Sequence, residues 1–237
     1  MRLITPADDE LFRTVSLALR LGRQGPVVDD LSTAYADEWD DPESGFRYAL
    51  AMVAVLQANR ADSDGSVYLE ISETLGDVLY AAPDHWLARY LRCRLRALVP
   101  LTFAQDQKFA DRERAKAVTD VDELIERQGR ALWRPYFACA HLLAARLAYE
   151  GAHDLARVDQ LISAAADRPR TRVGFRALGI LLCEPFLALF GQPDVPGRPV
   201  LAGMMADLFP DEPAVRWTLR RYRSTAAARG PDGAATG

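Results

Sequence analysis

The sequence predicts an all-α protein: about ten helices in antiparallel succession, stacked in pairs as a curved α-solenoid through residues 1–224. Three observations carry this. Apolar residues recur at three- and four-residue spacing along most of the chain. No stretch alternates convincingly as a strand. Prolines beside capping residues mark one helix start after another.

The first helix starts at Thr5-Pro6-Ala7-Asp8, where Thr5 supplies the cap, Pro6 takes the first helical position and Asp8 suits the positive end. Leu11, Phe12, Val15 and Leu19 give it one apolar face, and it stops near Gly22. A second helix covers residues 26–38 with Val28, Leu31 and Tyr35 inward. Asp41-Pro42 opens a third, and its segment 46–56 is apolar nearly all round, so this helix is central. Residues 59–65, NRADSDG, form a polar turn. A fourth helix carries Val67, Ile71, Leu75 and Val78 and breaks at Pro83. The fifth, residues 84–98, turns Trp86, Leu87, Tyr90, Leu91, Leu95 and Leu98 to one side and Arg89, Arg92 and Arg96 to the other.

Between residues 100 and 116 the pattern weakens to Phe103, Phe109 and scattered alanines, which fits either a poorly buried helix or an ordered loop. Thr119 with Asp122 reads as a capping box, opening a helix that buries Val121, Leu124 and Ile125. Residues 134–169 then read as two helices of similar length joined at Gly151 and bracketed by Pro135 and Pro169. Phe137, Leu142, Leu143 and Leu147 line the first, among alanines that permit close helix approach. Leu155, Val158, Leu161, Ile162 and Ala165 line the second, with Asp154 as its cap. Gly151 is expected to end the first helix in the left-handed conformation.

This stretch resembles a tetratricopeptide repeat. Pro100, Pro135 and Pro169 are spaced by about one 34-residue period of that family. Leu147-Ala148-Tyr149-Glu150-Gly151 followed by Leu155-Ala156 matches the family's turn region, whereas Gln160 stands where a large aromatic is usual and Arg168 where the proline is. The resemblance covers residues 101–190. It implies stacked helical pairs whose first helices line a concave, ligand-holding surface.

Beyond it, a helix over 172–184 is expected to kink or end at Pro185. Residues 192–198 form a connector, and Glu212-Pro213 starts a last helix carrying Val215, Trp217, Leu219 and Tyr222. The domain organisation expected is one helical-repeat domain over 1–224. In it, helices of 1–99 pack on the repeat-like 100–190 and helices in 199–223 cap the end. A disordered, small-residue tail over 225–237 follows.

Composition bounds the function. Hydrophobic content of 49% and charged content of 26% suit a soluble globular chain. All but two basic residues, Lys108 and Lys116, are arginine, which reads as GC-rich bacterial coding. A net charge of −4 makes nucleic acid an unfavoured partner. The N-terminus turns acidic before any apolar run develops, so no signal peptide is expected, and the apolar stretches at 48–56 and 179–182 are too short to span a bilayer. Cys93, Cys139 and Cys183 each sit in a helical pattern and read as buried free thiols of a cytoplasmic protein.

No residue pattern implies a catalytic site, a metal or a cofactor. His85 and His153 stand at helix starts and read as solvated turn residues; His141 and Cys139 fall on different sides of one helix. Asp37, Glu38, Asp40 and Asp41 around Trp39, and Asp120, Asp122 and Glu123, read as helix caps in place of a magnesium motif. Glu184 before Pro185 is the oddest carboxylate, needing a partner if buried. Arg216, Arg220, Arg221 and Arg223 read as a solvated basic face.

The function expected is therefore non-catalytic binding of another protein or a peptide in the concave groove. An all-α small-molecule binder or enzyme with a pocket between helices is the alternative, its lining drawn from residues 48–56 with Cys139, His141 and Glu184. A regulatory module beside a DNA-binding partner is the third. The groove residues expected to be exposed and to grip an acidic or carboxylate-bearing segment are Arg89, Arg92, Arg96, Tyr136 and Arg146.

Overall fold

The computed structural model describes residues 1–58, 65–102 and 107–228, and all its regular elements are helical. The chain expected to form one domain over 1–224 divides into two compact units, Met1–Trp133 with Glu150–Ala152, and Arg134–Tyr149 with His153–Gly237. Among the described residues, no helix is long and apolar enough to cross a membrane.

The first unit contains α1 (Pro6–Arg20), α2 (Gln24–Asp37), α3 (Pro42–Ala58), α4 (Gly65–Ala81), α5 (Trp86–Thr102) and α6 (Gln107–Gly129). At the head of α1, the Thr5 hydroxyl accepts the Asp8 N–H at 3.3 Å and the Asp8 carboxylate accepts the Thr5 N–H at 2.7 Å, closing the expected capping box. Helix α3 is central: it packs on α1, α2 and α4 and buries Phe46, Leu50 and Val53 among others. Each such side chain contributes roughly 1.5–3 kcal/mol by leaving water. Asp41 caps α3 by accepting the N–H groups of Glu43 and Ser44. Of the turn expected at 59–65, residues 59–64 lie outside the described residues and Gly65 already belongs to α4.

His85 is 2% exposed instead of solvated: its Nδ1 accepts the Ala88 N–H at 3.2 Å at the start of α5, and its ring lies 4.1 Å from that of Phe46. The N-terminal strand-like segment reaches this point too, Arg2 exchanging backbone hydrogen bonds with Asp84 and Trp86 at 2.9 and 3.0 Å. Residues 107–129 form one continuous helix, so no helix starts at Thr119. The Thr119 hydroxyl instead donates to the carbonyl of Ala115 at 3.2 Å, a common resting place for threonine inside a helix. Residues 103–106 of the weak stretch lie outside the described residues.

The second unit contains a 3₁₀ turn (Pro135–Phe137), most of α7 (Ala138–Ala152), then α8 (Leu155–Ala166), α9 (Gly179–Phe190), α10 (Arg198–Leu208) and α11 (Pro213–Ala228). Helix α10 packs on α8, α9 and α11. Leu143, Leu161, Phe186, Leu201 and Met204 are buried. Asp154 caps α8 as expected, accepting the Arg157 N–H at 2.9 Å. The residue that takes the left-handed conformation is His153 (φ 51°), and Gly151 remains helical. His153 N–H bonds the carbonyl of Tyr149 at 3.1 Å and its ring Nε2 lies 2.9 Å from Asp194, contacts that hold a conformation non-glycine residues seldom adopt. Asp194 also accepts the Tyr149 hydroxyl at 2.8 Å.

Helix α9 starts at Gly179, later than expected, and continues through Pro185 to Phe190. Leu181, Leu182, Phe186 and Leu189 are all buried on either side of the proline, and that burial outweighs a mid-helix cost of about 3 kcal/mol. Helix α11 runs to Ala228, so residues 225–228 of the expected tail are helical, and 229–237 lie outside the described residues. Trp217 on α11 is exposed, while Val215 and Leu219 face inward. Of the three period-marking prolines, Pro100 lies within α5, Pro135 opens the 3₁₀ turn and Pro169 follows α8.

Candidate functional site

The five residues expected to line an open groove are engaged within the protein. Arg89, Tyr136 and Arg146 are each 5% exposed, and Arg92 and Arg96 are also largely covered. The reason lies in two matching stripes. Arg89, Arg92 and Arg96 recur along one face of α5, while Glu113, Asp120 and Glu123 recur along one face of α6, and the two helices pack together. Arg92 holds Asp120 with two prongs, Nε at 3.0 Å and Nη2 at 2.6 Å. Arg96 donates to the same carboxylate at 2.5 Å and lies 3.5 Å from Glu113. Arg89 donates to Glu123 at 2.5 Å and to the carbonyl of Pro83 at 2.9 Å, and lies 3.6 Å from Asp120. Burial pulls the Arg89 guanidinium below its ordinary value despite these carboxylates.

Asp120, expected to open a helix, is thus a 4%-exposed hub for three arginines. Beside it, the Cys93 thiol donates to the carbonyl of Ala117 at 3.2 Å, and burial pushes that thiol up, with Asp120 adding to the effect. The signal was present in the sequence as complementary charge periodicity on consecutive helices.

In the second unit Arg146 donates to Glu184 at 2.5 Å, giving the odd carboxylate its partner. Tyr136 packs edge-on against Phe137 at 5.2 Å and lies 5.8 Å from the ring of Phe175. Of the expected pocket lining, Cys139 is buried and His141 half-buried; burial raises the Cys139 thiol and lowers the His141 imidazole, whose Nδ1 lies 3.3 Å from the carbonyl of Phe137. Among the described residues, no group of three or more His, Cys, Asp or Glu side chains is placed to hold a metal ion.

The second unit also contains a cavity of about 330 Å³ that the sequence reading did not anticipate. Its charged lining is Arg172, Arg176, Asp211, Glu212 and Arg216. Val173, Phe175 and Phe209 supply an apolar wall, with Tyr136 behind Phe175. Two local features build it. The segment between α8 and α9 is pinned to the end of α10 by the Val173 N–H on the Leu208 carbonyl at 2.9 Å. The turn from α10 to α11 is held by the Glu212 N–H on the Phe209 carbonyl at 3.2 Å, with Pro213 starting α11.

Within the cavity, Arg172 is ion-paired with Asp211. Desolvation raises the Glu212 carboxyl above the ordinary range, against the opposing pull of the Ala214 backbone and the charge of Arg216. The Glu212 Oε2 lies against the first turn of α9, 3.2 Å from where a Cβ on Gly179 would sit. The arrangement presents guanidinium forks beside aromatic surface, a chemistry suited to an anion with an apolar neighbour. Arg172 and Arg176, expected within a helix, lie in the loop before α9, and Arg216, expected on a solvated face, lines the cavity. Gly174 and the missing cap before α9 were the signals of a loop at 171–178.

No protein-family model matches this chain, and no curated protein and no solved structure is significantly similar to it.

Proposed function

We propose that this chain is a non-catalytic binding module for a carboxylate-bearing segment of another protein, and that the seat of binding is the cavity lined by Arg172, Arg176 and Arg216. The observation that carries this reading is the cavity itself: three guanidinium groups around a solvent-reachable space backed by Phe175 and Phe209. Arginine forks bind carboxylates through paired hydrogen bonds, and aromatic walls shelter the adjoining apolar group. The short connections at 21–23, 38–41, 82–85 and 153–154 support an antiparallel, tetratricopeptide-like arrangement of pairs as the frame. Affinity in the micromolar range suits a site of this size.

Calorimetric titration with capped peptides carrying one to four glutamates beside a phenylalanine tests the reading. The Arg172→Ala/Arg176→Ala/Arg216→Ala variant is expected to keep its helicity and melting temperature, because all three positions are exposed. It is expected to lose at least tenfold in affinity. Equal binding by variant and parent sinks the assignment.

A further inference from the structure

Resting on that reading, we propose that the ligand is a short acidic run of an extended polypeptide. One apolar side chain seats in the cavity, and the carboxylates that follow it run along an arginine ladder on α11 formed by Arg216, Arg220 and Arg223. Helix α11 carries arginines at 216, 220, 221 and 223 and no acidic residue. Its rotation is fixed from the inside. Val215 and Leu219 are buried, and Tyr222 lies edge-on to Phe190 at 5.1 Å with Arg198 over both rings. The arginines are therefore turned outward, and all of them are exposed. Arg221 stacks on the ring of Trp217 at 4.8 Å. The others recur at i, i+4 and i+7, which sets them one above another on a single flank. Arg216 is the first rung and lines the cavity. Arg220 and Arg223 follow one and two turns further along, and neither pairs with a carboxylate among the described residues.

The spacing suits a peptide. Successive rungs are about 6 and 4.5 Å apart along a helix that rises ~1.5 Å per residue. Alternate side chains of an extended chain lie about 6.6 Å apart on one face. Long arginine side chains absorb the difference, so a Glu-x-Glu-x-Glu pattern offers each rung one carboxylate. Guanidinium forks hold such groups through paired hydrogen bonds. The wall of Val173, Phe175 and Phe209, beside about 330 Å³ of space, receives one large apolar side chain at the head of the run. The ladder is only ~10 Å long, and the net charge of −4 on the whole chain repels a polyanion that runs past it. A short acidic segment fits these limits better than the continuous phosphate backbone of a nucleic acid.

The test is calorimetric titration of the full chain at pH 7.5 with three capped peptides and an oligothymidylate of twelve nucleotides. The peptides are Phe-Glu-Ser-Ser-Ser-Ser, Phe-Glu-Ser-Glu-Ser-Glu and Ala-Glu-Ser-Glu-Ser-Glu. At low salt the Phe-headed peptide with three carboxylates is expected to bind at least tenfold tighter than the one with a single carboxylate. That gain is expected to shrink as salt is raised from about 0.05 to 0.3 M, because the added contacts are exposed. The Ala-headed peptide is expected to be weaker than its Phe-headed counterpart. The Arg220→Gln/Arg223→Gln variant is expected to keep its melting temperature and its affinity for the single-carboxylate peptide, and to lose the gain from the other two carboxylates.

The results that overturn the proposal differ in what else they overturn. Should the parent bind the Phe-headed peptides equally, with the Arg172→Ala/Arg176→Ala/Arg216→Ala variant losing both, the ladder is wrong and the carboxylate-binding cavity stands. The ladder also falls if Arg220→Gln/Arg223→Gln keeps the full gain, and the seating of the apolar head falls if the Ala-headed peptide binds as tightly. Oligothymidylate binding tighter than the three-carboxylate peptides makes α11 a nucleic-acid face and overturns the polypeptide assignment. If no peptide binds, or the triple alanine variant binds them all like the parent, the ladder and the cavity reading are both wrong.

Discussion

Arg92 grips Asp120 through two guanidinium nitrogens, at 3.0 and 2.6 Å, and the carboxylate so held also receives Arg96 and lies beside Arg89. One aspartate therefore neutralises much of a basic stripe that the sequence suggests is solvent-facing. Asp120→Ala leaves buried guanidinium groups without that counter-charge, and removing one partner of a buried pair costs about 3–5 kcal/mol. Denaturant unfolding of the variant checks this; a loss below roughly 0.5 kcal/mol, the range of surface changes, contradicts the hub. For the same reason, alanine at Arg89, Arg92 and Arg146 together is expected to destabilise the protein, where an open groove predicts no effect.

The Thr5 and Asp154 caps, the central α3 and the buried leucines at 143 and 161 follow from rules that act within one helix, and they hold. The meeting of the α5 and α6 stripes depends on how two helices face each other, which periodicity within either one does not contain. The continuity of α6 through Thr119 is hidden in the sequence because its buried positions include alanine, glutamate and glutamine, a face too polar to register as apolar. The cavity depends on a loop and a turn at 171–178 and 209–213, where no period exists to read.

His85 makes the protein acid-sensitive. Burial first, and the charge of Arg2 next, push its imidazole down to about 3 from an ordinary 6.5. Its folded value is depressed, so the folded state keeps it neutral while the unfolded chain takes up a proton below about 6.5. Its stabilising share is intact above that pH and is lost progressively as pH falls toward 3, at up to about 1.4 kcal/mol per unit. His85→Asn retains an acceptor for the Ala88 N–H and is expected to flatten this acid limb in denaturant titrations at pH 7, 5.5 and 4. An unchanged slope means that His85 titrates normally.

None of the three cysteines forms a disulfide and all are buried, and burial pushes the Cys93 and Cys139 thiols up, so these two hold little thiolate at neutral pH. A disulfide reagent is expected to leave the native protein essentially untouched over minutes and to count three thiols in denaturant without reductant. Rapid native reaction of even one contradicts the packing around it.

Glu212 gives the cavity a pH dependence whose sign is set. Its folded value is raised above the usual 4.5 by burial, so on acidification it takes up a proton before an ordinary carboxylate does. The stabilisation from holding that proton is present below 4.5 and is lost as pH rises through the raised value, so Glu212→Gln is expected to leave neutral-pH stability equal or higher. Denaturant unfolding of the parent and of Glu212→Gln at pH 7.5 and pH 4.5 checks the sign: any gain in the variant at pH 7.5 is expected to shrink at pH 4.5, where the parent's carboxyl holds its proton. A difference between the two proteins that grows as pH falls contradicts a raised Glu212 carboxyl.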